Sequence, residues 1–109
     1  VGDVKGQTCV VIDDMIDTAG TITKAVDALY AEGAKDVIIA ATHAVFSGPA
    51  VERLKASNVS EVVVTDTLPI PEDSRFDGLT ILPIAPLLAR AIREVFEDGS
   101  VTSLFDGHS

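Results

Sequence analysis

Three aspartates, Asp13, Asp14 and Asp17, stand close together near the start of the chain, and Thr18, Ala19, Gly20 and Thr21 follow them directly. Carboxylates accept hydrogen bonds from hydroxyl groups and ligate magnesium, whereas a glycine-containing turn with threonines offers N–H and O–H donors to an anion. Two chemistries of opposite sign therefore lie side by side. A dianionic phosphate about 7 Å from one carboxylate, at an effective dielectric near 20, is repelled by roughly 5 kcal/mol. A helix end returns about 2 kcal/mol at best, so the dipole alone loses, and donor-rich contacts plus a cation must supply the difference. The pattern is coherent for a ligand with a phosphate at one end and hydroxyls, or a magnesium ion, at the other. A sugar phosphate has that shape.

Such a site needs a strand before it and a helix after it. Thr8 to Ile12 (TCVVI) is a short, nearly continuous β-prone run, as expected of a strand buried in a parallel sheet, with Asp13 and Asp14 marking its carboxyl end. From Gly20, Ile22, Ala25, Val26 and Leu29 follow the helical i, i+3, i+4, i+7 spacing up to Glu32, and Gly33 ends the segment. Ligands of open α/β sheets bind beyond the carboxyl ends of the strands, which is where the stretch falls. Gly20 permits close backbone approach. Asp and Thr are also frequent simply as turn formers, and Thr18 or Thr21 is a candidate helix cap. Two carboxylates, two threonines and a glycine in a single βα turn favour binding over that bland role.

The remaining chain repeats the pattern. Asp36 to Thr42 predicts a second strand, Val51, Leu54 and Lys55 a short helix, and Val62 to Thr65 a third strand. Leu79 to Pro83 predicts a fourth strand. A last helix contains Ile84, Leu87, Leu88, Ala91, Ile92, Val95 and Phe96, with Pro86 in its first turn and Gly99 as its stop. Successive strand–helix–strand units imply right-handed crossovers and a mainly parallel sheet, expected as a three-layer α/β domain with helices on both faces. Thr67 to Gly78, with Pro69 and Pro71 and no apolar periodicity, reads as a surface loop. Cys9 reads as a core residue. His43, ending the second strand, is a candidate ligand contact or a structural histidine, and Phe46, Ser47 and Gly48 form a connector.

At 109 residues the chain has the size of one domain. It opens on Val1 rather than methionine, as a fragment or processed product would. The net charge of −9, from 17 acidic and 8 basic side chains, disfavours nucleic acid and anionic membrane as partners. A single cysteine fits a reducing, cytoplasmic setting, and no apolar run approaches the roughly 18 residues of a membrane span.

VVIDDMIDTAGT, residues 10–21, resembles the phosphoribosyl diphosphate binding motif shared by type I phosphoribosyltransferases and ribose-phosphate diphosphokinases. The match comprises two hydrophobic residues, two acidic ones, two more apolar ones and Asp-Thr-Ala/Gly-Gly-Thr. ATHAVFSG, EVVVTDTLP, LLARAIREVF and SVTSLF resemble the C-terminal domain of ribose-phosphate diphosphokinase, so that the likeness covers essentially the whole chain. It implies a phosphoribosyltransferase-like fold over residues 1–109 as the C-terminal domain of a longer protein. Asp13 then holds ribose hydroxyls with Asp14 beside it, while Asp17, Thr18, Ala19, Gly20 and Thr21 hold the phosphate of ribose 5-phosphate. Ser100 and Thr102 match a tail that binds regulatory phosphate or ADP between subunits.

The activity implied is magnesium-dependent transfer of the diphosphoryl group of ATP to ribose 5-phosphate by a hexameric enzyme. In the family, the nucleotide site, the magnesium ligands and the basic catalytic loop lie upstream of this stretch, so the isolated chain is expected to be inactive. The rival readings are a phosphoribosyltransferase, a non-catalytic regulatory subunit that keeps the cradle, and a plain α/β interaction module.

Overall fold

The β-branched runs of the sequence become four parallel strands lying side by side in chain order. A computed structural model describes residues 3–97. The elements are β1 (Thr8–Ile16), α1 (Gly20–Ala31), β2 (Asp36–Ala44), α2 (Ala50–Ala56), β3 (Glu61–Thr65), β4 (Leu79–Leu82) and α3 (Ala85–Phe96). Gly33, at φ 95°, turns the chain out of α1, as expected of a glycine after a helix.

The strand register sorts the side chains onto two faces. Val11, Ile39 and Val62 lie level across the sheet, as do Ala41, Val64 and Ile81, and with Val37 they point to one face. Ile22 and Val26 of α1 and Ala50 and Leu54 of α2 pack against that face to form the core. Fully burying residues such as Ile39, Leu54 and Val62 stabilises the fold by about 1.5–3 kcal/mol each. Cys9 packs against the same core, half-buried. The Tyr30 hydroxyl donates to the Asn58 carbonyl (2.6 Å) and accepts the Val37 N–H (3.2 Å), tying the end of α1 to the sheet.

The four-stranded parallel sheet with helices is the expected α/β fold, but the helices do not cover both faces among the described residues. Two crossovers of the same hand that step across the sheet in the same direction deposit their helices on the same side. With strand order β1-β2-β3-β4 there is no reversal to send a helix to the other side. The opposite face, with Val10, Ile12 (79% exposed) and Leu82, is open. The last helix forms as expected, with a proline in its first turn, yet none of its residues is buried, and Phe96 is 83% exposed. The Asp66 carboxylate accepts the Ile84 N–H (2.8 Å) and fixes where α3 leaves the sheet.

The expected surface loop after β3 is anchored rather than free. Ile70 is buried in the core, and the Arg75 guanidinium donates twice to its carbonyl, at 3.3 and 3.2 Å.

Candidate functional site

β1 does not end at Ile12. It continues through both aspartates to Ile16, with Asp13 level with Ala41 and Met15 level with His43. The reason is the partner: β2 also runs two residues past Thr42, and its ladder overrides the poor strand propensity of aspartate. Side chains alternate along a strand, so Asp13 and Asp14 diverge. Asp13 lines a cavity of about 140 Å³ together with Asp17, Thr18, Ala19, Gly20 and Thr21, whereas Asp14 is not part of its wall. Six of the seven expected binding residues are thus brought together, and Asp14 stands outside.

The Asp13 Oδ1 accepts the Asp14 N–H at 2.7 Å. Hydrogen bonding with the Asp13 side chain is the main reason that the Asp14 carboxyl is held below its ordinary value of 3.8. Desolvation, the next largest effect, acts against it, and backbone N–H groups at Met15 and Asp14 and the nearby His43 add smaller effects in the lowering direction.

The loop itself is held from one side. The Ile16 carbonyl accepts the N–H groups of Val45 and Phe46, both at 3.0 Å, and the Asp17 carbonyl accepts the Ser47 N–H at 2.8 Å. The Thr18 carbonyl accepts Arg53 Nη1 at 3.1 Å. Among the described residues every peptide bond is trans, and in a planar trans peptide the N–H points opposite to the C=O. The N–H groups of Asp17, Thr18 and Ala19 are therefore turned away from the segment 45–53. Ala19 is left-handed, at φ 66° and ψ 9°, and leads into the right-handed helix, a combination that makes successive N–H groups converge as an anion-binding concavity.

The start of α1 is uncapped. Neither Thr18 nor Thr21 makes the expected side-chain cap, because Ala19 occupies the N-cap position. The first helical bond runs from the Thr23 N–H to the Ala19 carbonyl (3.0 Å), which leaves the N–H groups of Gly20, Thr21 and Ile22 without intrahelical partners. The Thr23 hydroxyl bonds backwards to the Ala19 carbonyl at 2.7 Å and relieves none of them.

A second recess, of about 560 Å³, shares Thr18, Gly20 and Thr21 with the first and adds Lys24, Asp27, Arg53 and Ser57. The loop thus separates a recess with two carboxylates from one with two cations and a single carboxylate, Asp27. Arg53 is absent from the sequence-derived site; its only signal there is a basic residue just after the SGPA turn, in a chain with few basic residues.

The other candidates have structural partners. The His43 Nδ1 lies 2.7 Å from the Thr67 hydroxyl. Phe46, at φ 52°, packs its ring against Phe76 with centroids 6.4 Å apart, and Ser47 acts through its backbone. Among the described residues no three His, Cys, Asp or Glu side chains converge to hold a metal ion. No helix among them is long and apolar enough to cross a membrane. Gly99, Ser100 and Thr102 lie outside the described residues.

Residues 1–106 match the family model described as the phosphoribosyl synthetase-associated domain. The chain belongs to this family. It is 67% identical over 106 residues to a ribose-phosphate pyrophosphokinase of Streptomyces avermitilis, covering 97% of this chain and 33% of the relative. To the enzyme of the same name from Mycobacterium tuberculosis it is 66% identical over 107 residues, 98% of this chain and 33% of the relative. The crystal structure of phosphoribosylpyrophosphate synthetase from Mycobacterium smegmatis superposes with a TM-score of 0.83 at 65% identity, over 91% of this chain and 33% of that one. The chain spans about a third of the length of these relatives.

Proposed function

We propose that this domain is the ribose 5-phosphate-binding part of a ribose-phosphate diphosphokinase. The carrying observation is the backward anchoring of the Ile16, Asp17 and Thr18 carbonyls beside an uncapped helix start. It leaves a run of amide donors for a phosphate, while Asp13 and Asp17 in the same cavity accept hydroxyls of the sugar. The names of the relatives support the substrate class, and they weigh against a phosphoribosyltransferase.

In the full-length protein this site presents the sugar phosphate for diphosphoryl transfer from ATP, a reaction that depends mainly on positioning and charge neutralisation. The family resemblance puts the magnesium ligands of the reaction mainly in the part of the longer protein upstream of this stretch, and that placement is part of the proposal. The hexameric, cytoplasmic enzyme implied by the resemblance is part of this proposal, as is the lack of a nucleic-acid or membrane partner. Calorimetric titration of the full-length protein with ribose 5-phosphate, ribose and inorganic phosphate tests it. Ribose 5-phosphate is expected to bind more tightly than either part, and equal or absent binding of all three defeats the reading. The isolated 109-residue chain is expected to show no turnover with ATP and ribose 5-phosphate.

A further inference from the structure

We infer that Arg53 is the positioning residue of the loop, fixing the Thr18 carbonyl and thereby the direction of the amides that follow; the inference rests on the sugar-phosphate reading above. The first two loop anchors come from backbone N–H groups, at Val45, Phe46 and Ser47, and depend little on side-chain identity. The third, Arg53 Nη1 to the Thr18 carbonyl at 3.1 Å, depends on one side chain. Among the described residues it is the only side chain from another element that donates to the loop backbone.

Gly20 belongs to the same device. It lies inside the first turn of α1, and a Cβ placed there would fall 2.9 Å from Arg53 Nη1. The bare backbone at Gly20 is thus the seat of the guanidinium rather than a requirement of conformation. Arg53 is held on a firm platform, since Ala50 and Leu54 on either side of it in α2 are buried. Its charge is also opposite in sign to that of the three aspartates beside the loop.

The test is made in the full-length protein, with ribose 5-phosphate binding measured by calorimetry and loop order by amide hydrogen exchange without ligand. Arg53→Ala is expected to weaken binding about tenfold, as for loss of one charge-assisted hydrogen bond, and to accelerate exchange at Ala19 and Gly20, with the melting temperature within about 3 °C of wild type. Arg53→Lys, which keeps the charge, is expected to recover part of the loss. Gly20→Ala should displace the guanidinium, so that the Gly20→Ala/Arg53→Ala pair binds no more weakly than Arg53→Ala alone. Unchanged binding in Arg53→Ala, or fully additive losses in the pair, overturns the inference. Should Arg53→Ala fail to fold, Arg53→Lys and Gly20→Ala decide by the same two measurements. If wild type does not bind ribose 5-phosphate, the sugar-phosphate reading fails by itself; exchange at Ala19 and Gly20 then still decides, acceleration in Arg53→Ala supporting the role of Arg53 and unchanged rates overturning it.

Discussion

The Ser47 N–H donates to the Asp17 carbonyl at 2.8 Å, so the turn after β2 holds the turn after β1. The two lie thirty positions apart in sequence, and neither side chain is needed for the bond. Because a carbonyl fixed on one side sends the next N–H to the other, this contact orients the Thr18 amide before any ligand arrives. Such preorganisation lowers the ordering cost that binding would otherwise carry.

Asp17 lines the cavity and caps nothing, since α1 has no side-chain cap. Asp17→Asn in the full-length protein is therefore expected to raise the KM for ribose 5-phosphate about tenfold or more, a loss of roughly 1.4 kcal/mol. Its melting temperature should stay within about 3 °C of wild type. A large fall in melting temperature with an unchanged KM would assign Asp17 to folding.

Ala19 is 5% exposed and sits at φ 66°, where a left-handed conformation costs roughly 1–2 kcal/mol for a residue with a Cβ. Ala19→Gly releases that strain but removes a buried methyl worth about 0.8 kcal/mol, so its unfolding free energy should change by less than about 1 kcal/mol. Ala19→Val, β-branched at positive φ and overpacked, should destabilise by about 2 kcal/mol or more. Urea denaturation of the two variants measures the contrast.

Leu54 and Ile12 separate the two faces of the sheet. Leu54, on α2, is fully buried against the sheet, and Leu54→Ala should cost about 2–5 kcal/mol. Ile12 is 79% exposed on the open face, and Ile12→Ala in this chain should fall within about 0.5 kcal/mol of wild type. Equal costs at the two positions would contradict the one-sided packing of the helices.

The Asp14 carboxyl is held below 3.8 chiefly by its hydrogen bond with the Asp13 side chain. A carboxyl whose folded-state pKa is depressed contributes stability that is present above the unfolded value and is lost as pH falls through the folded one. NMR titration should place the Asp14 midpoint below 3.8, and Asp14→Asn should flatten the acid limb of the stability curve below that pH. A midpoint at or above 3.8 would remove the Asp13 contact as its cause.

Residue order alone was enough for the four strands, the three helices and the grouping of Asp17 to Thr21 in one turn. Apolar spacing at Ile22, Val26 and Leu29 reports a helix wherever it packs, and Asp17 to Thr21 are neighbours in space because they are neighbours in sequence. The extension of β1 through Asp13 and Asp14 was not legible, because it depends on a ladder with β2 rather than on the aspartates themselves.

Tertiary structure alone decided which face the helices cover, since that follows from strand order, a long-range property with no local signature. It also decided that Asp13 and Asp14 part company, that no threonine caps α1, and that Arg53 reaches the Thr18 carbonyl from another helix. The residues of the cradle are a local matter of sequence. The direction of its amides is not, because the anchors that turn them come from residues 45–53 and meet the loop only when β1 and β2 pair.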